Sequence, residues 1–193
     1  MSDRKFEILG KENLLNFYIF KASAVDFRYQ RFDGSTAEPL PHFVLDRGES
    51  VGILLHDIPA NEIVLVEQFR IACAENGPGW MLELPAGRID ANESPEDAAR
   101  RETLEETGTE PNDINLISNF YLSPGGISER LHLFYCPFID GISVGEHGGL
   151  EHESEDIRIH RFSLDKAYTM IESGEIIDAK TIIALYWLKI RAR

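Results

Sequence analysis

The chain has 193 residues, of which 43% are apolar and 10% are aromatic, enough to bury the core of one domain with a small appendage. These proportions exclude wholesale disorder and fibrous repeats. Asp and Glu number 33 against 19 Lys and Arg, so the formal net charge is −14. That charge repels phosphate backbones and disfavours nucleic-acid binding, whereas clustered carboxylates would suit divalent cations.

Cysteine usage and hydropathy bear on the compartment. Cys73 and Cys136 lie far apart and match neither a metal-binding pair nor a disulfide framework. The charged N-terminus has no apolar stretch typical of a signal peptide, and the longest apolar run, residues 182–188, is too short to cross a bilayer. We therefore expect a soluble protein of the reducing cytoplasm with no membrane partner.

Residues 1–47 predict a small antiparallel β region. Strand-forming residues dominate 14–32 and 42–45, and the pair Asp33-Gly34 is a turn signal between them. Two or three strands alone are marginally stable, so this region needs a partner, either the main domain or a second subunit.

Residues 48–193 predict an α/β domain. Strand patterns occupy 51–55, 63–69, 80–84, 116–122, 131–136 and 157–162. Helices are indicated from Ser94 to Gly108, from Ser163 to Gly174, and over 179–190. The first has Pro95 in its first position, as helix N-termini favour. The expected fold is a mixed β-sheet sandwiched between helices.

The first of these helices lies in an acidic segment. Eight acidic and two basic residues fall between Asp90 and Glu110. At about 100° per residue, Glu102, Glu105 and Glu106 share one face, where their like charges repel. Mg²⁺ or Mn²⁺ would convert that repulsion into attraction. A solvated acidic helix is the alternative, but the helix dipole disfavours acids near the C-terminal end, which favours a functional role.

A different face of this helix is expected to pack on the protein. Ala99, Thr103 and Thr107 form an i,i+4 row there, with Leu104 beside it.

The spacing of these residues resembles the Nudix box of the Nudix hydrolases. The matching positions are Gly87, Glu93, Arg101-Glu102, Glu105-Glu106 and Gly108. The family pattern prefers aliphatic residues where this chain has Thr103 and Thr109. The resemblance implies the Nudix fold and a loop–helix–loop that binds divalent cations beneath a diphosphate, with Mg²⁺ as the cofactor and Mn²⁺ as a substitute.

The resemblance also implies roles within the box. Glu102 and Glu106 resemble the principal metal ligands, and the backbone carbonyl of Ala86 resembles a further one. Glu105 resembles an additional or water-mediated ligand that takes part in catalysis. Arg101 resembles an orienting partner of the box carboxylates, in agreement with its i,i+4 relation to Glu105.

Three segments outside the box resemble the ADP-ribose pyrophosphatase group. They are residues 66–70, 121–130 and 149–157. The implied reaction is hydrolysis of ADP-ribose to AMP and ribose 5-phosphate. GDP-mannose hydrolases share the Ser-Pro-Gly-Gly segment, so GDP-mannose or another nucleotide sugar is an alternative substrate. A non-catalytic ADP-ribose sensor is an alternative of another class, against which the intact box glutamates argue.

Further residues outside the box are candidates for substrate binding. Arg70 can bind a phosphate bidentately or stack on a base, and Arg47 can supply a second cation. The glycines of the 123–130 loop let the backbone approach a ligand, while Ser128 and Glu129 can hydrogen-bond sugar hydroxyls.

The remaining expectations concern an acidic loop, residues 146–156, and the N-terminal strands. The resemblance points to Glu153 as the general base and to Glu155 as a metal ligand or alternate base, and the spacing does not separate the two. It also implies a homodimer in which the strands of residues 1–47 contribute to the interface and to part of the nucleotide site.

Overall fold

The computed structural model describes residues 5–150 and 155–191. The chain divides into two compact units. One contains the residues up to Glu49 together with Phe120–Arg130, and the other contains Ser50–Asn119 and the residues from Leu131 onward. No helix within the described ranges is both long enough and apolar enough to span a membrane.

The first unit is built on a three-stranded antiparallel sheet. Strands β1 (Phe6–Phe17), β2 (Phe20–Tyr29) and β3 (Leu40–Asp46) pair in the order β1-β2-β3. The predicted antiparallel region is confirmed, but the expectation that strands begin near residue 14 was wrong. β1 is almost wholly exposed, so it lacks the alternation of apolar and polar residues that reveals a half-buried strand. Its backbone pairing with β2 defines it instead.

The turn predicted at Asp33-Gly34 is confirmed. Asp33 Oδ1 accepts hydrogen bonds from the Ser35 N–H at 2.9 Å and the Ser35 hydroxyl at 2.6 Å. Gly34 has φ +86°, which glycine adopts without steric cost.

The 123–130 loop attaches to β3 within the same unit. Leu45 N–H donates to the Gly126 carbonyl at 2.8 Å, and Ser128 N–H donates back to the Leu45 carbonyl at 2.9 Å. These bonds enclose a parallel bridge between Leu45 and Ile127. Local sequence patterns do not predict this long-range pairing.

Over the described residues, the main sheet has eight strands in the order β10-β11-β5-β4-β9-β8, with β6 beside β5 and β7 beside β4. The strands are β4 (Ser50–Asp57), β5 (Glu62–Phe69), β6 (Trp80–Glu83), β7 (Ala86–Arg88), β8 (Asn115–Tyr121), β9 (Arg130–Phe138), β10 (His147–Gly148) and β11 (Ile157–Ser163). β4 runs parallel to β9 and antiparallel to β5 and β7, so the sheet is mixed as predicted.

The sheet contains a fork that positions the site. β4 and β5 pair only where Leu55–Asp57 meets Glu62–Val64, after which they diverge. Beyond that point β7 pairs with β4 and β6 pairs with β5. The short connection between β6 and β7 therefore crosses from one arm of the fork to the other.

In the part of the chain that the structure describes, four helices flank the strands: α1 (Ile71–Ala74), α2 (Pro95–Thr107), α3 (Leu164–Ser173) and α4 (Ala179–Arg191). The three longer ones agree with the predicted helices, whereas α1 is a single turn that carries no periodic signal. The Ser94 side chain caps α2 by accepting from the Asp97 N–H at 3.1 Å, and Gly108 ends it at φ +70°.

α2 packs on the sheet through small residues. Ala98 and Ala99 join a core with Val51, Ile53 and Phe134. Thr103 and Thr107 are buried as predicted, and each hydroxyl donates to the carbonyl four residues earlier at 2.7 Å. This hydrogen bond explains why a threonine is tolerated at position 103, where the family pattern prefers an aliphatic residue. The expectation for Leu104 was wrong: it is 50% exposed, because it lies about 100° beyond Thr103 and away from the alanines.

Candidate active site

The acidic face of α2 lies against the connection between β6 and β7. Glu106 is 2% exposed, and its Oε2 accepts a hydrogen bond from the Ala86 N–H at 3.0 Å. The predicted ligands Glu106 and Ala86 are thus brought together, although they are 20 residues apart in the sequence.

Gly87 makes room for the Glu102 carboxylate. A Cβ built on Gly87 would lie 2.0 Å from both Cδ and Oε1 of Glu102, which is far too short for atoms that are not bonded to each other. The side chain of Glu102 therefore occupies the space in which any other residue at position 87 would begin its own side chain. The glycine of the motif is explained by this close approach.

Burial disfavours the charged forms of both ligand candidates. Burial raises the pKa of Glu106 to about 8, and the neighbouring Glu102 adds to the effect. Burial likewise raises the pKa of Glu102 to about 7, against the opposing influence of Arg101. A buried and a partly buried carboxylate that repel each other become stable as a charged pair once a cation lies between them.

Arg101 links four parts of the box. Its Nη1 donates to Glu102 Oε1 at 2.8 Å and to Glu105 Oε2 at 3.0 Å. Its Nε donates to Glu93 Oε1 at 2.9 Å, and Nη2 donates to Glu93 Oε2 and to the Arg88 carbonyl, both at 3.0 Å. The hydrogen bond from Arg101 lowers the pKa of Glu93. This geometry agrees with an orienting role for Arg101 and gives Glu93, which had no assigned role, the function of holding that arginine.

The donor set fits a divalent cation of the hard type. Among the residues that the structure describes, no three His, Cys, Asp or Glu side chains converge at ligating distance, and Arg101 forms ion pairs with Glu102 and Glu105. Glu106 makes no ion pair with any lysine or arginine of those same residues. The Glu102 carboxylate, which lies against Gly87, and the buried Glu106 carboxylate provide oxygen ligands where a cation would relieve repulsion.

The acidic loop begins on the C-terminal end of α2. A Cβ on Gly148 would lie 1.8 Å from the backbone oxygen of Glu106, so β10 touches the helix backbone directly. The next residue, Gly149, donates its N–H to the Glu105 carbonyl at 3.0 Å. The loop is therefore attached to the residues that carry the candidate ligands, which spacing alone did not predict.

Glu155 lies at the other end of this loop. Its Oε2 accepts from the Leu150 N–H and its own N–H donates to the Leu150 carbonyl, both at 3.3 Å. Its charge contributes to the raised pKa values of Glu102 and Glu106. Glu155 is thus brought near the candidate ligands, whereas Glu153, the predicted base, lies outside the described residues.

Arg70 follows the end of β5 and forms a bidentate ion pair. Its Nε and Nη2 donate to Glu83 Oε1 at 2.9 Å and Oε2 at 3.2 Å. Burial works to raise the pKa of Glu83, but Lys180 and Arg70 together outweigh it, so the pKa is lowered. The Arg70 side chain remains 39% exposed. No sequence pattern predicts a role for Glu83 or Lys180.

The other predicted substrate ligands belong to the first unit. Arg47 Nε lies 3.6 Å from Glu129 Oε2, and Glu129 is 5% exposed. The Ser128 hydroxyl is 3.4 Å from the Leu45 carbonyl. Arg47 and Glu129 are therefore brought together as a pair, and their roles in substrate binding stay predictions.

Acidic side chains on one helix, set against a glycine in a tight loop, define a site of the divalent-cation-dependent class. The model of the NUDIX domain matches residues 46–185, and the chain belongs to this family. Members of the family generally need a divalent metal. The predicted family and enzyme class, a Nudix hydrolase, are confirmed.

Curated relatives match nearly the whole chain. An ADP-ribose pyrophosphatase of Escherichia coli K12 is 36% identical over 95% of this chain and 88% of its own length. One of Haemophilus influenzae Rd is 33% identical over 98% of this chain and 88% of its own. A GDP-mannose pyrophosphatase of Escherichia coli O1:K1 / APEC is 34% identical over 94% of both chains.

A solved structure supports the fold. The crystal structure of an ADP compounds hydrolase superposes with a TM-score of 0.72 at 22% identity, and the match covers 96% of this chain and 92% of that one.

Proposed function

We propose that this Nudix hydrolase uses Mg²⁺ to hydrolyse ADP-ribose, adding water across the diphosphate bridge to give AMP and ribose 5-phosphate. The observation that carries the proposal is the pair of carboxylates of Glu102, which is partly buried, and Glu106, which is buried, held against the loop of Ala86 and Gly87. Relatives named ADP-ribose pyrophosphatase, at 33% to 36% identity over most of the chain, support the choice of substrate.

The cation ligands in this proposal are the carboxylates of Glu102 and Glu106 and the carbonyl of Ala86, with Glu105 and Glu155 as further ligands. Bound there, Mg²⁺ would screen the charge of the diphosphate and increase the acidity of water. Arg101 holds Glu102 and Glu105 in position throughout, because its guanidinium also binds Glu93 and the Arg88 carbonyl.

The remaining roles concern proton transfer. Glu153 accepts the proton of the attacking water, with Glu155 as the alternate base. Glu155 is supported by its proximity to Glu102 and Glu106.

Substrate recognition is assigned to the predicted binding residues. Arg70 and Arg47 bind phosphate oxygens, and Ser128 and Glu129 bind sugar hydroxyls. The Arg70 side chain, which is 39% exposed, supports the first of these roles.

A substrate panel tests this function. We expect ADP-ribose to give a kcat/KM at least about tenfold above that of GDP-mannose with Mg²⁺, a difference of about 1.4 kcal/mol in transition-state binding. Hydrolysis in ¹⁸O-labelled water, followed by mass spectrometry, identifies the products and the phosphorus attacked. Activity should be lost in EDTA and restored by Mg²⁺.

GDP-mannose is the second candidate, because a GDP-mannose pyrophosphatase covers this chain as fully as the ADP-ribose enzymes do. A higher kcat/KM for GDP-mannose would replace the first candidate by the second. No turnover of either substrate would refute both and favour a sensor that binds without cleaving.

We also propose a homodimer to which the N-terminal strands contribute. Large apolar side chains of β1 and β3 are exposed, among them Phe6 at 75%, Phe17 at 69% and Phe43 at 53%. A surface of this kind, on a small sheet, favours burial against a second copy. Light scattering should give a mass of twice 21.9 kDa. Phe6→Ser with Phe17→Ser should lower it, whereas Ile190→Ser on α4 should not; a wild-type monomer would refute the proposal.

Location and other partners complete the proposal. Cys73 and Cys136 are free thiols, which supports a reducing cytoplasm. The net charge of −14 supports the absence of nucleic-acid partners. Fractionation and a filter-binding assay with DNA and RNA would test these two points.

A further inference from the structure

A line of charged side chains runs from the end of β5 to the first turn of α4. Arg70 pairs with Glu83, and Glu83 Oε2 also lies 2.5 Å from the Lys180 ammonium. Lys180 continues to Asp178 Oδ1 at 3.1 Å. Lys180 is 8% exposed and Glu83 is 4% exposed. Lysine is rarely buried to this extent unless it is paired, and here the buried lysine and the buried glutamate form an ion pair.

The lysine reaches Glu83 beside the fork in the sheet. A Cβ on Gly52 would lie 3.4 Å from Lys180 Cδ and 3.9 Å from Ala86 Cβ, so the lysine stem passes along β4 beside Ala86. The adjacent Thr181 hydroxyl accepts the Leu84 N–H at 2.9 Å. The first turn of α4 thus holds the connection between β6 and β7, which carries the candidate ligand Ala86.

Because Lys180 and Arg70 both pair with Glu83, Arg70 does not balance the charge of that carboxylate alone. The carboxylate is buried and charged, so it needs nearby cations. Lys180 and Arg70 both donate to Oε2 of Glu83, and Arg70 also donates to Oε1. The Arg70 side chain is 39% exposed, whereas that of Lys180 is 10% exposed. Glu106 and Glu155 also act electrostatically on Arg70, so its guanidinium lies close to the candidate active site.

We infer that Lys180 is a positioning residue: it shares the charge of Glu83 and thereby leaves the guanidinium of Arg70 oriented and available for the substrate diphosphate. The inference rests on the proposed function, in which Arg70 binds that diphosphate. Lys180 itself touches neither substrate nor cation in this account. Without the lysine, Arg70 becomes the sole counter-ion of a buried carboxylate and is held more closely to it.

Replacement of Lys180 tests the inference through a split between KM and kcat. Lys180→Met keeps the aliphatic stem and removes the charge. We expect KM for ADP-ribose to rise about tenfold, as loss of one charge-assisted hydrogen bond to the diphosphate would give. We expect kcat to stay within about threefold, since the groups that act on the water are untouched. Lys189→Met, at the other end of α4, is the matched control and should leave both constants unchanged.

A double-mutant cycle separates this role from simple packing. Glu83→Gln should also raise KM, because Arg70 loses its orienting partner. Adding Lys180→Met to Glu83→Gln should change KM no further, since the shared carboxylate is gone. Independent, additive increases would overturn the inference. The double variant also removes the buried ion pair as a whole, so the comparison holds even if Lys180→Met alone fails to fold.

The outcomes also distinguish this inference from the proposed function. An unchanged KM in folded Lys180→Met overturns the inference and leaves the function in place. A wild-type protein that hydrolyses neither ADP-ribose nor GDP-mannose overturns both. If the wild type prefers GDP-mannose, the same variants are compared with GDP-mannose as the substrate, and KM should again rise while kcat stays within about threefold.

Discussion

Replacing Gly87 with alanine puts a methyl group where the Glu102 carboxylate now lies. The added Cβ would be 2.0 Å from Cδ and Oε1 and 2.2 Å from Oε2 of Glu102. Carbon atoms in favourable contact stand about 3.5 Å apart or more, so the carboxylate must move by about 1.5 Å. Gly87 does not have a positive φ, and alanine therefore adds no backbone strain at this position.

The displacement should abolish most of the activity and leave the fold intact. Misplacing a reacting or ligand group by about 1 Å can cost about a hundredfold in rate, so we expect kcat/KM to fall at least that much. The moving atoms are the end of a flexible side chain, and burial raises the pKa of Glu102 to about 7 where it stands. Moving it toward water relieves that cost, so the free energy of unfolding should change by less than about 1 kcal/mol.

Steady-state hydrolysis of ADP-ribose and urea unfolding without added cation measure the two effects. Gly10→Ala is the matched control, because a Cβ there approaches nothing closer than Asp26 Oδ2 at 3.8 Å. Near-normal kcat/KM in Gly87→Ala would refute the account of this glycine. A large loss of stability without cation would show that Gly87 serves the fold and not the Glu102 carboxylate.

Glu106→Gln should lower kcat at least about a hundredfold, because it removes ligand charge. It should still fold, since the amide oxygen can accept the Ala86 N–H; activity near wild type would contradict the ligand assignment. In EDTA the free energy of unfolding should fall as pH rises from the ordinary carboxyl pKa of 4.5 toward about 8, because folded Glu106 retains a proton that the unfolded chain has released. The slope is at most about 1.4 kcal/mol per pH unit for each such group, and Glu106→Gln or added Mg²⁺ should flatten it. If stability instead rose with pH in wild type, and Glu106→Gln gave the same slope, the burial of this charge would be contradicted. Gly148→Ala should lower both the Tm and the activity, since its Cβ would lie 1.8 Å from the Glu106 backbone oxygen, which no side-chain rotation relieves. An unchanged Tm would show that β10 can leave the end of α2 without cost.

Elements with local signals could be predicted from the sequence. α2 has a serine cap, a proline in its first position and a left-handed glycine at its end, and all three features are present in the structure. The grouping of Glu102 with Glu106 follows from helical spacing alone. β1 could not be placed because nearly all of it is exposed, and a strand of this kind lacks a buried face to impose a pattern.

Features that depend on contacts distant in sequence were missed. Glu83 and Lys180 are 97 residues apart, and the local sequence around neither residue predicts their pairing. The contact of Gly148 with the end of α2 likewise depends on the backbone path of two separate elements. Leu104 looked like a packing residue because it is apolar, but the alanines of α2 fill the narrow space against the sheet instead.

Manganese binding tests the cation site most directly. EPR titration of Mn²⁺ should be run with a non-hydrolysable methylene analogue of ADP-ribose on wild type, Glu102→Gln, Glu106→Gln and Glu96→Gln. Glu96 is an exposed acid in the first turn of the same helix and serves as the control. We expect the Kd for Mn²⁺ to rise at least about tenfold in the Glu102 and Glu106 variants and to stay unchanged in Glu96→Gln. Equal Mn²⁺ affinity in all four proteins would contradict the assignment of Glu102 and Glu106 as the cation ligands.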